Sequence, residues 1–242
     1  MLFLLIASSC GHSESKKLKS EENTTQSYSR LDTILQTFKK GYIRKETSDT
    51  TKIKNRKSDF NISAIKLNNK AMELYSFVRS EPISYPDSLH LNSALTLLNK
   101  AIKLDTQYYL AYANKALILS KLKRYQEAME TLDKIIKIRP NYAEGISGQG
   151  FLYEKTGESI KAVERYQEAI AAYLRRLNEP LKLTNRVNVQ VDIAFMLVFT
   201  NGKEAAMRLM DTIIVYNPNN KVANYMKKYI TSFDRREFID NY

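Results

Sequence analysis

Residues 112–140 read YANKALILSKLKRYQEAMETLDKIIKIRP, and the spacing of the small and apolar residues in this stretch recurs elsewhere in the chain. Ala94, Ala128 and Ala162 lie 34 residues apart. Three further sets keep the same spacing: Leu98, Leu132 and Tyr166; Ala101, Ile135 and Ala169; Leu104, Ile138 and Ala172. Four coincident registers indicate a repeated structural unit with a period of 34 residues.

The period and the residue types of this unit resemble the tetratricopeptide repeat, a helix-turn-helix unit of that length. A fourth copy follows when ten residues are inserted, because Ala162 and Ala206 lie 44 residues apart. The first copy also carries an insertion, in which the stretch 80–87 supplies two prolines that break a helix. The resemblance covers residues 64–218, and it leaves residues 221–233 as a closing helix.

This resemblance implies an all-α fold: an α-solenoid of about four such helix-turn-helix repeats with a C-terminal capping helix, spanning residues 61–242. The low content of glycine and proline, seven and five residues, also favours long helices. Small residues at Gly150, Ala128 and Ala162 would let neighbouring helices approach closely. We therefore expect a bulky substitution at Gly150 or Ala162 to be among the most damaging.

The N-terminus carries a short apolar run, residues 2–7, followed by Ser8, Ser9, Cys10 and Gly11. Six apolar residues are far fewer than the ~20 that a membrane-spanning helix needs. The pattern resembles the end of a bacterial lipoprotein signal peptide, which implies a signal remnant at residues 1–9 and lipidation of Cys10. An exposed free thiol is the alternative interpretation.

Residues 10–60 are rich in Ser, Thr, Lys, Glu and Asn, which predicts a flexible, disordered tether. Within it, residues 29–41 place Leu31, Ile34, Leu35 and Phe38 on one face of a short helix. A helix of about three turns is too short to be stable alone. We expect it to form only against the membrane, a partner or the protein's own groove.

The net charge of +12 would attract anionic polymers or anionic lipid headgroups. Residues 11–60 hold 12 Lys or Arg and 7 Asp or Glu, so the rest of the excess is spread over the remaining chain. No zinc-finger spacing, helix-turn-helix pattern or aromatic RNA-binding box accompanies the charge. Nucleic-acid binding is therefore not expected, unless the N-terminal segment is not a signal and the chain is a soluble basic module.

Catalysis is not expected from this sequence. Its two histidines, His12 and His90, are far apart in the chain, and its one cysteine excludes metal sites built from several cysteines. Phosphate-binding loops, nucleophile elbows and metal-ligand helices are missing from the sequence. We expect no enzymatic activity, no cofactor and no metal.

Binding is the expected activity, because the first helix of each unit lines the concave face in the family that the chain resembles. The resemblance implies a largely apolar and aromatic groove with cationic side chains at Lys121 and Lys155. Its predicted lining residues are Met72, Tyr75, Leu117, Ser120, Lys121, Ser147, Phe151, Glu154, Lys155, Val191, Phe195 and Phe199. The alternative is that Phe195, Val198 and Phe199 are core residues of the fourth unit.

These features predict a non-catalytic scaffold for protein-protein interaction that is anchored by lipid to the bacterial cell envelope. We expect the outer membrane, rather than the inner membrane, to be the site of anchorage. Its groove would bind an apolar peptide or a partner helix. The segment 29–41 is one possible occupant, displaced by the true partner. An envelope lipoprotein that binds glycan or a polyanion is the alternative, although the absence of tryptophan disfavours sugar stacking.

Overall fold

The computed structural model describes Ile34, residues 60–78, residues 82–179, Leu181 and residues 183–242. From residue 60 onward these described residues form ten helices and no strand, which confirms the all-α prediction. The helices are α1 (Ile62–Ser76), α2 (Tyr85–Leu104), α3 (Tyr109–Lys121), α4 (Tyr125–Ile138), α5 (Ala143–Lys155), α6 (Ser159–Leu177), α7 (Leu183–Thr200), α8 (Lys203–Tyr216), α9 (Lys221–Ser232) and α10 (Arg235–Asn241).

The first eight helices pack as four consecutive pairs, and each pair contacts the next. α1 packs on α2, α3 on α4, α5 on α6 and α7 on α8, while α2, α4 and α6 each contact the helix that follows. α9 packs against α7 and α8 and closes the stack. In such a solenoid each unit is stabilised mainly by its neighbours. The four predicted units and the closing helix are therefore confirmed.

The turns inside three of the pairs use a left-handed backbone conformation. Lys123, Gly157 and Gly202 have φ values of 59°, 83° and 86°, and each lies between the two helices of a pair. Glycine adopts this conformation without the steric cost that a Cβ imposes. Lys123 is thus the strained member of the three.

Small residues lie where the helices cross, as expected. Ala94, Ala128, Ala162 and Ala206 are fully buried at corresponding positions of the second helices. On the first helix of the third pair, Gly150 faces the ring of Tyr166 so closely that a Cβ would lie 2.5 Å from Cε1. This contact is the physical reason for the predicted sensitivity at position 150.

Both insertions lengthen the second helix of their pair. α2 has 20 residues and α6 has 19, compared with 14 in α4. α2 begins after Ser84, whose hydroxyl accepts a hydrogen bond from the Asp87 amide, and it carries Pro86 in its first turn. Proline fits there because the first turn has no intrahelical partner for its missing amide hydrogen.

The buried residues form two clusters that meet at α5. The N-terminal cluster draws on α1 to α5, and the C-terminal cluster draws on α5 to α10. Tyr242 packs against both clusters. Ile34 is helical, 7% exposed and part of the C-terminal cluster, whereas the remainder of the predicted helix 29–41 lies outside the described residues.

Among the described residues, no helix is both long enough and apolar enough to cross a membrane. The described residues do not include Cys10 or the predicted signal remnant 1–9. Of the predicted tether, residues 10–60, they include only Ile34 and Phe60. The predictions of lipidation and of a disordered tether therefore stay predictions.

Candidate functional site

The predicted groove is lined by the first helices of the pairs, and α10 lies within it. A cavity of about 370 Å³ remains beside α10. Tyr75 of α1 and Leu117 and Lys121 of α3 line one side of the cavity. The other lining residues belong to the C-terminal part of the chain: Tyr229, Ser232, Phe233, Asp234, Glu237, Phe238, Asn241 and Tyr242.

The start of α10 is set by a local capping interaction. The Asp234 carboxylate accepts a hydrogen bond from the Glu237 amide at 2.8 Å, which satisfies one of the four unpaired amides at a helix N-terminus. Phe233, the residue between α9 and this cap, is 8% exposed and belongs to the C-terminal cluster. Two residues with extended backbone, Phe233 and Asp234, therefore separate α9 from α10, and α10 contacts α5.

Aromatic rings hold α10 against α5. The Phe151 ring lies 5.2 Å from the Phe238 ring and 4.8 Å from the Tyr242 ring, centroid to centroid. Phe238 and Tyr242 are four residues apart, so they lie on the same face of the helix. Aromatic pairs at such separations contribute about 0.5–1.5 kcal/mol beyond the burial of their surface.

Three predicted groove residues donate hydrogen bonds to the last four main-chain carbonyls of the C-terminal segment. Lys155 Nζ lies 2.7 Å from the Ile239 oxygen and 2.5 Å from the Asp240 oxygen. Lys121 Nζ lies 2.8 Å from the Asn241 oxygen, and Ser120 Oγ lies 2.8 Å from the Tyr242 oxygen. The Ile239 oxygen also accepts a hydrogen bond from the Tyr242 amide at 3.2 Å, whereas the last carbonyls of a helix otherwise lack intrahelical partners, so these side chains cap the helix from outside.

Glu154 joins α10 to the core of the third pair. Its Oε1 accepts a hydrogen bond from Arg235 Nε at 2.5 Å, and its Oε2 accepts one from the Tyr166 hydroxyl at 2.8 Å. The Glu154 side chain is only 13% exposed, whereas that of Arg235 is 40% exposed. Burial and the Glu154 carboxylate both raise the pKa of Tyr166, so the phenol stays protonated and donates.

The residues predicted from the fourth unit contribute mainly to the core. Val191 is 3% exposed and Phe199 is 3% exposed, while Phe195 is partly buried and packs its ring 5.4 Å from Phe233 and from Phe238. The alternative interpretation of this unit is therefore confirmed for Phe199, and for Val198 at 8% exposure. Phe195 and Phe199 also help to hold α10, because both rings contact the Phe238 ring.

Two other predicted groove residues lie outside the set of contacts just described. Ser147 is 5% exposed and donates its hydroxyl to the Glu144 carbonyl of its own helix, at 3.1 Å. Met72 is half-buried on α1. The structure therefore brings together Tyr75, Leu117, Ser120, Lys121, Phe151, Glu154 and Lys155, with Phe195 and Phe199 behind them.

Sequence reasoning did not identify α10 as the occupant of the groove. The repeat pattern ends at Pro218 and the predicted closing helix ends at Phe233, so residues 234–242 belonged to neither. Two local signals mark this helix: an aspartate three residues before a glutamate, at 234 and 237, and aromatic residues four apart, at 238 and 242. Neither signal indicates where the helix packs.

A second charged cluster lies on the opposite ends of α5 and α6. Arg176 donates two hydrogen bonds to the Glu144 carboxylate, at 2.6 and 2.8 Å. Asp192 of α7 faces the same pair, and burial, together with the nearby Glu144 charge, raises the pKa of Asp192 to about 6 against the opposing effect of Arg176. Arg176 therefore pairs directly with Glu144, and it acts on Asp192 only as a nearby charge.

Metal ligands do not gather in the part of the chain that the structure describes, where no group of three His, Cys, Asp or Glu side chains is placed to hold an ion. His90 lies beside the Phe77 ring, 5.8 Å between centroids. The predicted absence of catalysis, cofactor and metal stays a prediction.

Comparison with known proteins supports the repeat assignment. The family model described as "Tetratricopeptide repeat" matches residues 109–142, which include α3 and α4. The chain is 30% identical over 168 residues to a small glutamine-rich tetratricopeptide repeat-containing protein of Dictyostelium discoideum, covering 64% of this chain and 48% of the relative. It is 29% identical over 82 residues to the Hsp70-Hsp90 organizing protein of Triticum aestivum, covering 34% of this chain and 14% of the relative.

Solved structures include similar helical stacks. A thermophilic tetratricopeptide-repeat protein of Thermus thermophilus is 14% identical with a TM-score of 0.44, over 70% of this chain and 100% of the other. Pseudomonas aeruginosa pilF is 15% identical with a TM-score of 0.43, over 73% and 72% of the two chains. The chain spans about half or less of the length of the two curated relatives. Residues 109–142 match the tetratricopeptide-repeat model, and the 34-residue period and the four stacked pairs extend the same helix-pair arrangement along the chain.

Proposed function

We propose that this protein is a non-catalytic scaffold that holds a helical segment of a partner protein in its concave groove. The observation that carries this proposal is the seating of α10 in the groove, with its aromatic side chains on Phe151 and its last carbonyls on Ser120, Lys121 and Lys155. A surface that binds a protein helix in this way has the chemistry for helix-in-groove recognition.

The similarity to adaptor-like proteins supports a scaffold role. One relative is named as an Hsp70-Hsp90 organizing protein, and this similarity supports a protein-binding role. This chain's own partner is expected to be a protein as well.

Anchorage to the bacterial cell envelope is a further part of the proposal. The support for it is the apolar run 2–7 followed by Cys10, which resembles a lipoprotein signal, and the polar composition of residues 11–59. Several acyl chains on one residue anchor a protein firmly, whereas one chain anchors it marginally. A lipidated Cys10 would place the groove near the outer-membrane surface at the end of a tether of about 50 residues.

In-cell photo-crosslinking tests the scaffold function. Leu117 lines the open cavity, and Tyr225 of α9, 66% exposed, supplies a matched surface position outside that lining. A crosslinking amino acid at position 117 should capture a discrete protein that position 225 does not capture. Equal capture from both positions, or capture of glycan at position 117, would contradict the proposal.

A further inference from the structure

We propose that α10 is an exchangeable occupant of the groove, and that the partner is a short helix with two aromatic residues four apart whose C-terminal end enters the groove. This inference rests on the proposed function, and it adds the chemical class of the partner and the way in which access to the site is controlled. The partner binds when α10 leaves.

The first recognition element is aromatic. Phe151 contacts both Phe238 and Tyr242, and Phe195 and Phe199 contact Phe238 from the other side. The residue in the partner that corresponds to Phe238 would therefore contact three groove rings, and the one that corresponds to Tyr242 would contact Phe151. Phe151 is 7% exposed in this closed arrangement, so the departure of α10 would uncover an apolar surface that needs a replacement.

The second recognition element binds main-chain oxygens at the C-terminal end of a helix and does not depend on the side chains of that helix. Ser120, Lys121 and Lys155 donate to the four successive carbonyls of residues 239–242. The C-terminus of every helix presents main-chain carbonyls that can accept hydrogen bonds from outside, and the helix dipole also favours cations there. Any helix that ends at this position in the groove would therefore satisfy the same three donors.

The attachment of α10 favours exchange. A seven-residue helix is not stable in isolation, so its structure depends on the groove. Its outward side is polar, with the Arg236 and Asp240 side chains 93% and 69% exposed. The cavity of about 370 Å³ beside α10 also leaves part of the groove unfilled. A short helix whose structure depends on one surface can open locally at a lower free energy than the whole fold.

A labelled peptide with the sequence of residues 233–242, FDRREFIDNY, tests the inference by fluorescence anisotropy on the full chain. Phe238→Ala weakens the intramolecular helix and leaves the groove side chains intact. Arg236→Ala, on the exposed side of the same helix, is the matched control. The Phe238→Ala protein should bind the peptide at least about tenfold more tightly than the wild type and the control, because apparent affinity scales with the open fraction.

The lysine contribution is tested in the Phe238→Ala protein. Lys155→Ala should weaken peptide binding by about tenfold, since hydrogen bonds from a charged donor are lost. Lys137→Ala, an exposed lysine of α4, should leave it unchanged. Failure of the peptide to bind any folded variant would overturn the inference, as would equal binding to wild type and Phe238→Ala. A dimer that the peptide dissociates would place a second copy's α10 in the groove and would also overturn it.

Hydrogen exchange of the wild-type chain gives an independent test if Phe238→Ala fails to fold. The amides of residues 235–242 should exchange at least about tenfold faster than those of α5, because α10 opens without global unfolding. Exchange of both segments at one common rate would show a fixed capping helix and overturn the inference. Capture of the same protein at position 117 in wild type and Phe238→Ala, to the same extent, would retain the scaffold function and reject control by α10.

Discussion

Of the glycines that the structure describes, Gly150 has the closest neighbour, the ring of Tyr166 on the adjacent helix. A Cβ at Gly150 would lie 2.5 Å from Cε1 and 2.6 Å from Cδ1 of the Tyr166 ring, which is fully buried. The Tyr166 hydroxyl is also fixed by its hydrogen bond to Glu154. The ring therefore has little freedom to move aside, and the crossing links the core of the third pair to the wall of the groove.

Gly150→Ala should lower the free energy of unfolding by about 1–3 kcal/mol, because the added methyl overpacks a rigid contact. Urea denaturation measures this change. Gly148→Ala on the same helix is the comparison: its Cβ would lie 3.3 Å from Leu132 Cδ1 and from the Tyr242 hydroxyl, so these neighbours need to move by only a few tenths of an ångström and the loss should be smaller. A gain in stability for Gly150→Ala, as helix propensity alone would give, would contradict the assigned contact.

Lys123→Gly should raise the free energy of unfolding by about 0.5–1 kcal/mol. Lys123 has a φ of 59° in the turn between α3 and α4, where two other turns of the stack have glycine. Glycine removes the steric cost of the left-handed conformation, although it also increases the entropy of the unfolded chain. Lys123→Ala retains the Cβ and should give no gain; equal gains for both variants would assign the effect to charge and not to the backbone.

Asp192→Asn should stabilise the fold at pH 7.5 by up to about 3 kcal/mol, because the folded state raises the pKa of this carboxyl from 3.8 to about 6. Above pH 6 the ionised carboxylate carries the full cost of burial and of the Glu144 charge. Between pH 6 and pH 4 the carboxyl becomes protonated in the folded state first, so the cost declines. The difference between variant and wild type should therefore shrink towards zero near pH 4.

Thermal or urea unfolding of both proteins over this pH range measures the difference. Asp211→Asn serves as a control, because Asp211 has a 56% exposed side chain and pairs with Lys227 at the surface. That variant should show no comparable stabilisation at pH 7.5. A difference for Asp192→Asn that does not change between pH 7.5 and pH 4 would contradict a raised pKa.

Cys10→Ser should abolish incorporation of labelled palmitate and move the protein from the membrane fraction to the soluble fraction, because it removes the proposed site of lipid attachment. Ser9→Ala, one residue away, should preserve more of the labelling than Cys10→Ser. Equal labelling of wild type and Cys10→Ser would reject the anchor and leave the scaffold function to be tested separately.

The repeat pattern was sufficient to predict most of the fold. Small residues are needed where helices cross closely, as at Ala128, Ala162 and Ala206. Because such crossings recur in each repeat, comparing the sequence with itself reveals these positions. The same register placed Leu117, Phe151 and Lys155 on the concave side. The insertions at either end of the repeat series also followed from spacing, since each lengthens a second helix.

The occupant of the groove could not be predicted in the same way. The contact of Phe238 with Phe151 joins residues 87 positions apart, and the contact of Tyr242 with Ser120 joins residues 122 apart. Such long-range packing depends on the curvature of the whole stack and on the path of the chain at Phe233 and Asp234. Periodicity reports which side a residue occupies within its helix, but it carries no information on which distant helix covers that side.

Photo-crosslinking from position 117 in wild type and in Phe238→Ala, with and without the peptide FDRREFIDNY, tests the central claim most directly. A helix-binding groove that α10 occupies predicts one discrete protein adduct, about tenfold more abundant in Phe238→Ala and suppressed by excess peptide. A protein adduct that is equally abundant in both proteins and unaffected by the peptide would contradict it.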